Sequence, residues 1–126
     1  MKHILIIDDE ADIREIAQAS LEVMKNWAVT TACSGQEGIA RAAADQPDAI
    51  LLDVMLPDMD GTIALQKLQE NPITCQIPVI FLTAKVRGSD QRRLAEMKVS
   101  AILAKPFNPE DLADQIANTL GWDASE

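Results

Sequence analysis

Five short apolar runs recur along this chain, each followed by a helical pattern, and that alternation restricts the fold more than any other feature. The runs are His3–Ile7, Ala28–Ala32, residues 49–52, residues 79–82 and Ala101–Ala104. Each has the length of a strand, and none approaches the roughly 20 apolar residues that a membrane span requires. Between the first two, Ile13, Ile16, Ala17, Ser20, Leu21 and Met24 recur at helical spacing, while Arg14, Glu15, Gln18, Glu22 and Lys25 fall on the opposite face. Ser34 and Glu37 form a capping box that opens a second helix, which Pro47 stops. Leu65 and Leu68 mark a third helix, and Leu94 with Met97 a weaker fourth. The fifth carries Asn108 as N-cap, Pro109 at its first position, Leu112, Ile116 and Leu120 on one face, and Gly121 as its stop. Strand and helix in strict alternation call for a parallel sheet covered on both faces. The expected architecture is an α/β domain with a five-stranded parallel sheet, flavodoxin-like order 2-1-3-4-5, and five helices. At 126 residues the whole chain, 1–126, forms one such domain.

Composition excludes several function classes. A net charge of -9 opposes general attraction to nucleic acid or anionic membrane, and 3% aromatic content with no Tyr leaves no stacking platform for bases. Neither nucleic acid nor membrane is therefore an expected partner. Cys33 and Cys75 lie far apart with no neighbouring ligand at metal spacing, so they read as buried or bland thiols. The apolar start after Met1-Lys2-His3 is cut short by Asp8-Asp9-Glu10, unlike a signal peptide, so a cytoplasmic location is expected. Met55, Met59 and Met97 read as gap fillers, Trp27 and Trp122 as packing residues, and His3 as an end residue of the first strand.

Ligands of a parallel α/β sheet bind beyond the carboxyl ends of its strands. The first run delivers Asp8-Asp9-Glu10, the third Asp53, the fourth Thr83-Ala84 and the fifth Lys105-Pro106-Phe107. In the order 2-1-3-4-5 these four strands are neighbours, so the polar residues converge. Clustered carboxylates repel one another unless protonated or met by a cation, and oxygen ligands favour a hard one. Mg²⁺ needs only one or two carboxylates plus phosphate oxygens, which Asp9 and Asp53 with an incoming phosphoryl group would supply. Lys105 and Thr83 add a point charge and a hydroxyl donor for the phosphoryl oxygens. A carboxylate such as Asp53 can itself attack phosphorus to give an acyl phosphate.

Four segments together resemble the receiver domain of bacterial two-component response regulators. They are Ile4-Leu5-Ile6-Ile7-Asp8-Asp9-Glu10, Leu51-Leu52-Asp53-Val54-Met55-Leu56-Pro57-Asp58-Met59-Asp60-Gly61, Leu82-Thr83-Ala84-Lys85 and Ala104-Lys105-Pro106-Phe107. The resemblance covers essentially the whole chain. It implies Asp53 as phosphoacceptor and Asp9, Asp53 and the Met55 carbonyl as Mg²⁺ ligands, with Asp8 acting largely through metal-bound water. It further implies Thr83 and Lys105 as phosphoryl-binding residues, a Lys105-Pro106 bond that can be cis, and a histidine kinase or phosphotransfer protein as donor. One position departs from the family, which usually carries Tyr or Phe three residues before the Lys: here it is Ile102.

Two other classes compete. Asp58-Met59-Asp60-Gly61-Thr62 matches the nucleophile motif of haloacid dehalogenase phosphohydrolases, with Asp58 and Asp60 as the reactive pair, but it does not directly follow a hydrophobic strand. A flavodoxin would need a first loop rich in Ser, Thr and Gly, and Asp8-Asp9-Glu10 would repel the flavin phosphate. The resemblance also suggests output through the fourth helix, fifth strand and fifth helix. There, basic residues 85–98 and acidic Glu110, Asp111 and Asp114 could pair across a homodimer axis. Only five residues follow Gly121, so no output domain is expected, and the signal would pass to a downstream protein.

Overall fold

The computed structural model describes residues 2–84 and 99–122. In chain order the elements are β1 (His3–Ile7), α1 (Ala11–Lys25), β2 (Ala28–Ala32), α2 (Gly35–Asp45), β3 (Ala49–Asp53), α3 (Gly61–Glu70), β4 (Val79–Thr83), β5 (Ala101–Ala104) and α4 (Pro109–Leu120). The helix expected around Leu94 and Met97, and with it the basic stretch 85–98, lies outside the described residues. All strand pairs are parallel, in the order β2-β1-β3-β4-β5, as expected.

Alternation along the strands divides the core into two layers. Ile4, Ile6, Leu51, Ile80 and Leu82 face α1 and α4, where they meet Leu21, Leu112 and Ile116. Leu5, Ile7, Ile50, Leu52 and Phe81 face α2 and α3, against Ala42, Leu65 and Leu68. Strands buried on both sides read as continuous apolar runs, which is why periodicity alone located them. Complete burial of each such side chain contributes about 1.5–3 kcal/mol, so the central strands are the rigid part of the molecule.

The helix ends follow the expected chemistry. Ser34 Oγ accepts from Glu37 N at 3.1 Å, and Asn108 Oδ1 accepts from Glu110 N at 2.9 Å. Gly121 closes α4 with φ 71°, a left-handed conformation natural to glycine. α1 and α4 are joined by Ser20, whose hydroxyl donates to the Pro109 carbonyl, and by the ion pair of Lys25 with Asp114 at 2.9 Å.

Several local expectations are corrected. Ile16 and Met24, assigned by spacing to the buried face of α1, are exposed, because the sheet and α4 cover only the strip of Ala17, Ser20 and Leu21. Met55 is no gap filler: it is 66% exposed. Of the two readings for Cys33 and Cys75, buried or bland, burial is ruled out: both are free and exposed. Trp27 is buried and meets Trp122 edge to face at 5.2 Å, and Lys2 Nζ lies over the Trp122 ring at 4.7 Å. His3 sits at the start of β1, with Nε2 2.5 Å from Thr30 Oγ1, at the opposite end of the sheet from the polar strand ends.

Gly61 is the tightest packing point near those ends. A Cβ there would fall 2.5 Å from the Asp53 carbonyl oxygen and 2.7 Å from Val54 Cα, and Gly61 N donates to Val54 O at 2.7 Å. Since backbone cannot yield as a side chain does, Gly61→Ala is expected to lower stability by roughly 1–3 kcal/mol in urea unfolding, with no loss from Gly121→Ala beyond the strain of its φ.

Candidate functional site

The strand ends bring Asp8, Asp53, Thr83 and Lys105 together. Asp53 and Thr83 are the last residues of β3 and β4, one position inside the strands rather than just beyond them, while Asp8 and Lys105 immediately follow β1 and β5. The two inside residues are thereby buried: Asp53 and Thr83 are 4% exposed, and Asp8 is fully buried. Thr83 O accepts from Lys105 N at 2.9 Å, which ties the hydroxyl-bearing residue to the cationic one. The Lys105-Pro106 bond is cis.

Lys105 is the centre of the arrangement. Its Nζ lies 2.5 Å from Asp8 Oδ2, 3.3 Å from Asp53 Oδ2 and 3.6 Å from Glu10 Oε1. Burial by itself would lower the Lys105 pKa, but Asp8 and Asp53 outweigh it and hold the ammonium above its ordinary value. Asp53 moves the other way. Burial first, and the Asp8 charge second, push its carboxyl up from 3.8 to about 6, against the opposing pull of the Met55 amide and Lys105.

The acids exceed the cations. Asp8, Asp9 and Glu10 each place a carboxylate oxygen within 4.8 Å of the others. Asp8 Oδ1 accepts from Glu10 N at 2.9 Å, whereas buried Oδ2 has its ion pair with Lys105 but no aligned hydrogen-bond donor. An all-oxygen donor set with a buried, under-satisfied carboxylate fits a hard divalent cation such as Mg²⁺. Glu10, to which the sequence reading gave no ligand role, belongs to this close group; Asp53 adjoins it through Lys105 Nζ, 3.3 Å from Asp53 Oδ2, and the Met55 amide donates to Asp53 Oδ1 at 3.2 Å.

Sequence reasoning also missed supporting residues. Arg14, placed on the outer face of α1, turns back so that Nη1 donates to the Asp8 carbonyl at 2.7 Å. Asp58 accepts from Gly35 N at 2.8 Å and Gln36 N at 2.9 Å, capping α2 from the loop after β3. Those two bonds hold the Asp58 carboxyl below its ordinary pKa. Asp60 accepts from Thr62 N and Thr62 Oγ1 at the start of α3. No local signal pointed to the first two; the Asp60-Gly61-Thr62 start of a helix was present but matched a nucleophile motif. The phosphohydrolase alternative is thereby corrected. Asp58 and Asp60 are occupied as caps of α2 and α3, and neither directly follows a strand.

Comparison with known proteins agrees with this geometry. The model of the response regulator receiver domain matches residues 4–117. The chain belongs to that family. It is thus a phosphoacceptor switch of two-component signalling, a family that works with histidine kinases or phosphotransfer proteins. A probable transcriptional regulator, ycf27, of Cyanidium caldarium is 36% identical over 94% of this chain and 46% of its own length. The response regulator PleD of Caulobacter vibrioides is 42% identical over 83% of this chain and 23% of its own. The chain thus spans about half, or less, of the curated relatives it matches. The chemotaxis response regulator CheY4 of Vibrio cholerae superposes with a TM-score of 0.86 at 27% identity, covering 94% of this chain and 98% of that one. No described helix is long and apolar enough to cross a membrane.

The raised Asp53 pKa has a consequence for the metal-free protein. Its folded-state value lies above the unfolded one, so Asp53 favours folding below pH 3.8, and this contribution is lost as pH rises through about 6. Asp53→Asn removes the effect. In metal-free urea unfolding the variant should match wild type near pH 4 and exceed it by roughly 2–3 kcal/mol at pH 7.5.

Proposed function

We propose that Asp53 is the phosphoacceptor of this receiver domain, and that Thr83 and Lys105 hold the transferred phosphoryl group. The observation that carries this reading is the setting of Asp53: buried, one oxygen held by the Met55 amide, the other facing Lys105 Nζ at 3.3 Å. Fixing one oxygen leaves the other as nucleophile. Lys105 then stabilises the oxygens of the transferring group as a preplaced charge, and the Thr83 hydroxyl donates to another. Asp8, Asp9 and Asp53 with the Met55 carbonyl would hold Mg²⁺, which would supply charge neutralisation at the phosphoryl oxygens. The only catalysis is of the domain's own phosphorylation and dephosphorylation.

The donor is a histidine kinase or phosphotransfer protein. The phosphorylated domain acts by protein contact in the cytoplasm, as a single domain spanning 1–126, without touching nucleic acid or membrane. Its contact face includes β5 and α4. A homodimer through this face would set the basic residues of 85–98 against Glu110, Asp111 and Asp114.

Intact mass after incubation with acetyl phosphate and Mg²⁺ tests the acceptor. One phosphoryl adduct is expected in wild type, and none in Asp53→Asn or with EDTA; an adduct retained in the variant refutes the assignment. Light scattering with a phosphoryl mimic tests the dimer: doubled mass in wild type and monomer mass in Arg92→Glu are expected. Wild type that stays monomeric throughout rejects it.

A further inference from the structure

Glu10 is the member of the carboxylate group that reaches Lys105 from the exposed side of the site. It occupies the N-cap of α1, yet its side chain makes no capping hydrogen bond. Its backbone is fixed at both ends, the amide by Asp8 Oδ1 at 2.9 Å and the carbonyl by Arg14 N at 3.1 Å. The carboxylate is aimed at Lys105, with Oε1 3.6 Å from Nζ, while also lying within 4.8 Å of the ligand oxygens of Asp8 and Asp9. Its side chain is 59% exposed where that of Asp8 is 0%, so it is the outermost of Lys105's three partners.

We propose that Glu10 is a positioning residue that tethers Lys105 toward the mouth of the site in the resting protein, and so discriminates against small anionic phosphodonors. The inference rests on Asp53 being the acceptor. During transfer from an acyl phosphate, the donor P–O bond breaks, the carboxylate leaves with the electron pair, and an Asp53 oxygen forms the new bond to phosphorus. Lys105 can pair with a phosphoryl oxygen only as its existing ion pairs yield. The Glu10 pair is the longest and most solvated of the three, and therefore yields first. Until then the Glu10 charge repels an anionic donor at the entrance, while the same charge attracts a divalent cation. Removing it must move the two affinities in opposite directions, which a loss of structure would not do.

The test uses the full chain as wild type, Glu10→Gln and Glu10→Asp. Mg²⁺ affinity is measured by calorimetry, and labelling by acetyl phosphate at saturating Mg²⁺ by intact mass. For Glu10→Gln, Mg²⁺ binding should weaken about 3- to 10-fold. Its half-saturating acetyl phosphate concentration should fall by about threefold. Glu10→Asp keeps the charge but is one methylene too short to reach Lys105. It should retain Mg²⁺ affinity while still needing less acetyl phosphate. Constants for Glu10→Gln that are unchanged, or that worsen together, overturn the proposal while leaving Asp53 as acceptor. A wild type that binds Mg²⁺ but takes no label overturns both.

Discussion

One ammonium facing three carboxylates organises this site. Lys105 lies within 3.6 Å of Asp8, Asp53 and Glu10 and is the positive charge that offsets their mutual repulsion. Taking charges out of water is costly, and a buried pair lacking one partner is strongly destabilising. Asp8 is completely buried with one oxygen unsupported by a hydrogen-bond donor, and Asp53 retains its proton up to about pH 6. The resting site is therefore under-neutralised by design of its residues. An excess of negative charge of this kind favours the binding of a divalent cation.

The scaffold makes that imbalance tolerable by fixing every backbone segment that bears a charge. β1, β3, β4 and β5 are held by buried apolar neighbours on both faces. Between β3 and α3, the chain is held by Gly61 packed on Asp53 and Val54, by Asp58 capping α2, and by Asp60 capping α3. Arg14 fastens the Asp8 carbonyl from α1. The opposite end of the sheet is built differently, from Trp27, Trp122 and the cation of Lys2. Electrostatic strain is thus confined to one pole, and apolar packing closes the other.

This division explains what could be read from sequence. The five strands and the helix caps at Ser34 and Asn108 rest on local signals, namely apolar runs and capping residues, and the strand order on the fold class that such alternation suits; the structure has all of them as expected. The convergence of Asp8, Asp53, Thr83 and Lys105 followed from strand order. What local signals cannot encode is how side chains choose partners once together. Arg14 seemed to belong to solvent because helical spacing says nothing of a residue six positions earlier. Asp58 seemed chemical because its partners, Gly35 and Gln36, are more than twenty positions away. Glu10 was visible at the strand end, but its choice of Lys105 over the helix N-terminus is a three-dimensional fact.

Ile102 bears on how a change at this site could spread. It lies half-buried against the layer that contains Phe81, and a β-branched side chain has little χ1 freedom. It cannot sweep between exposed and buried positions as a ring can. The backbone offers the other connection. Thr83 O accepts from Lys105 N, and Thr83 pairs with Ala104 in the β4–β5 register, so Thr83 and Lys105 are joined through the backbone at one edge of the sheet. Moving a population from 1:99 to 99:1 requires about 5.5 kcal/mol of differential stabilisation. A lone hydroxyl contact contributes about 1 kcal/mol and a charge-assisted one about 1.5–3. On the proposed roles, contacts of Thr83 and Lys105 alone would fall short of that amount, and a bound Mg²⁺ would have to supply the remainder.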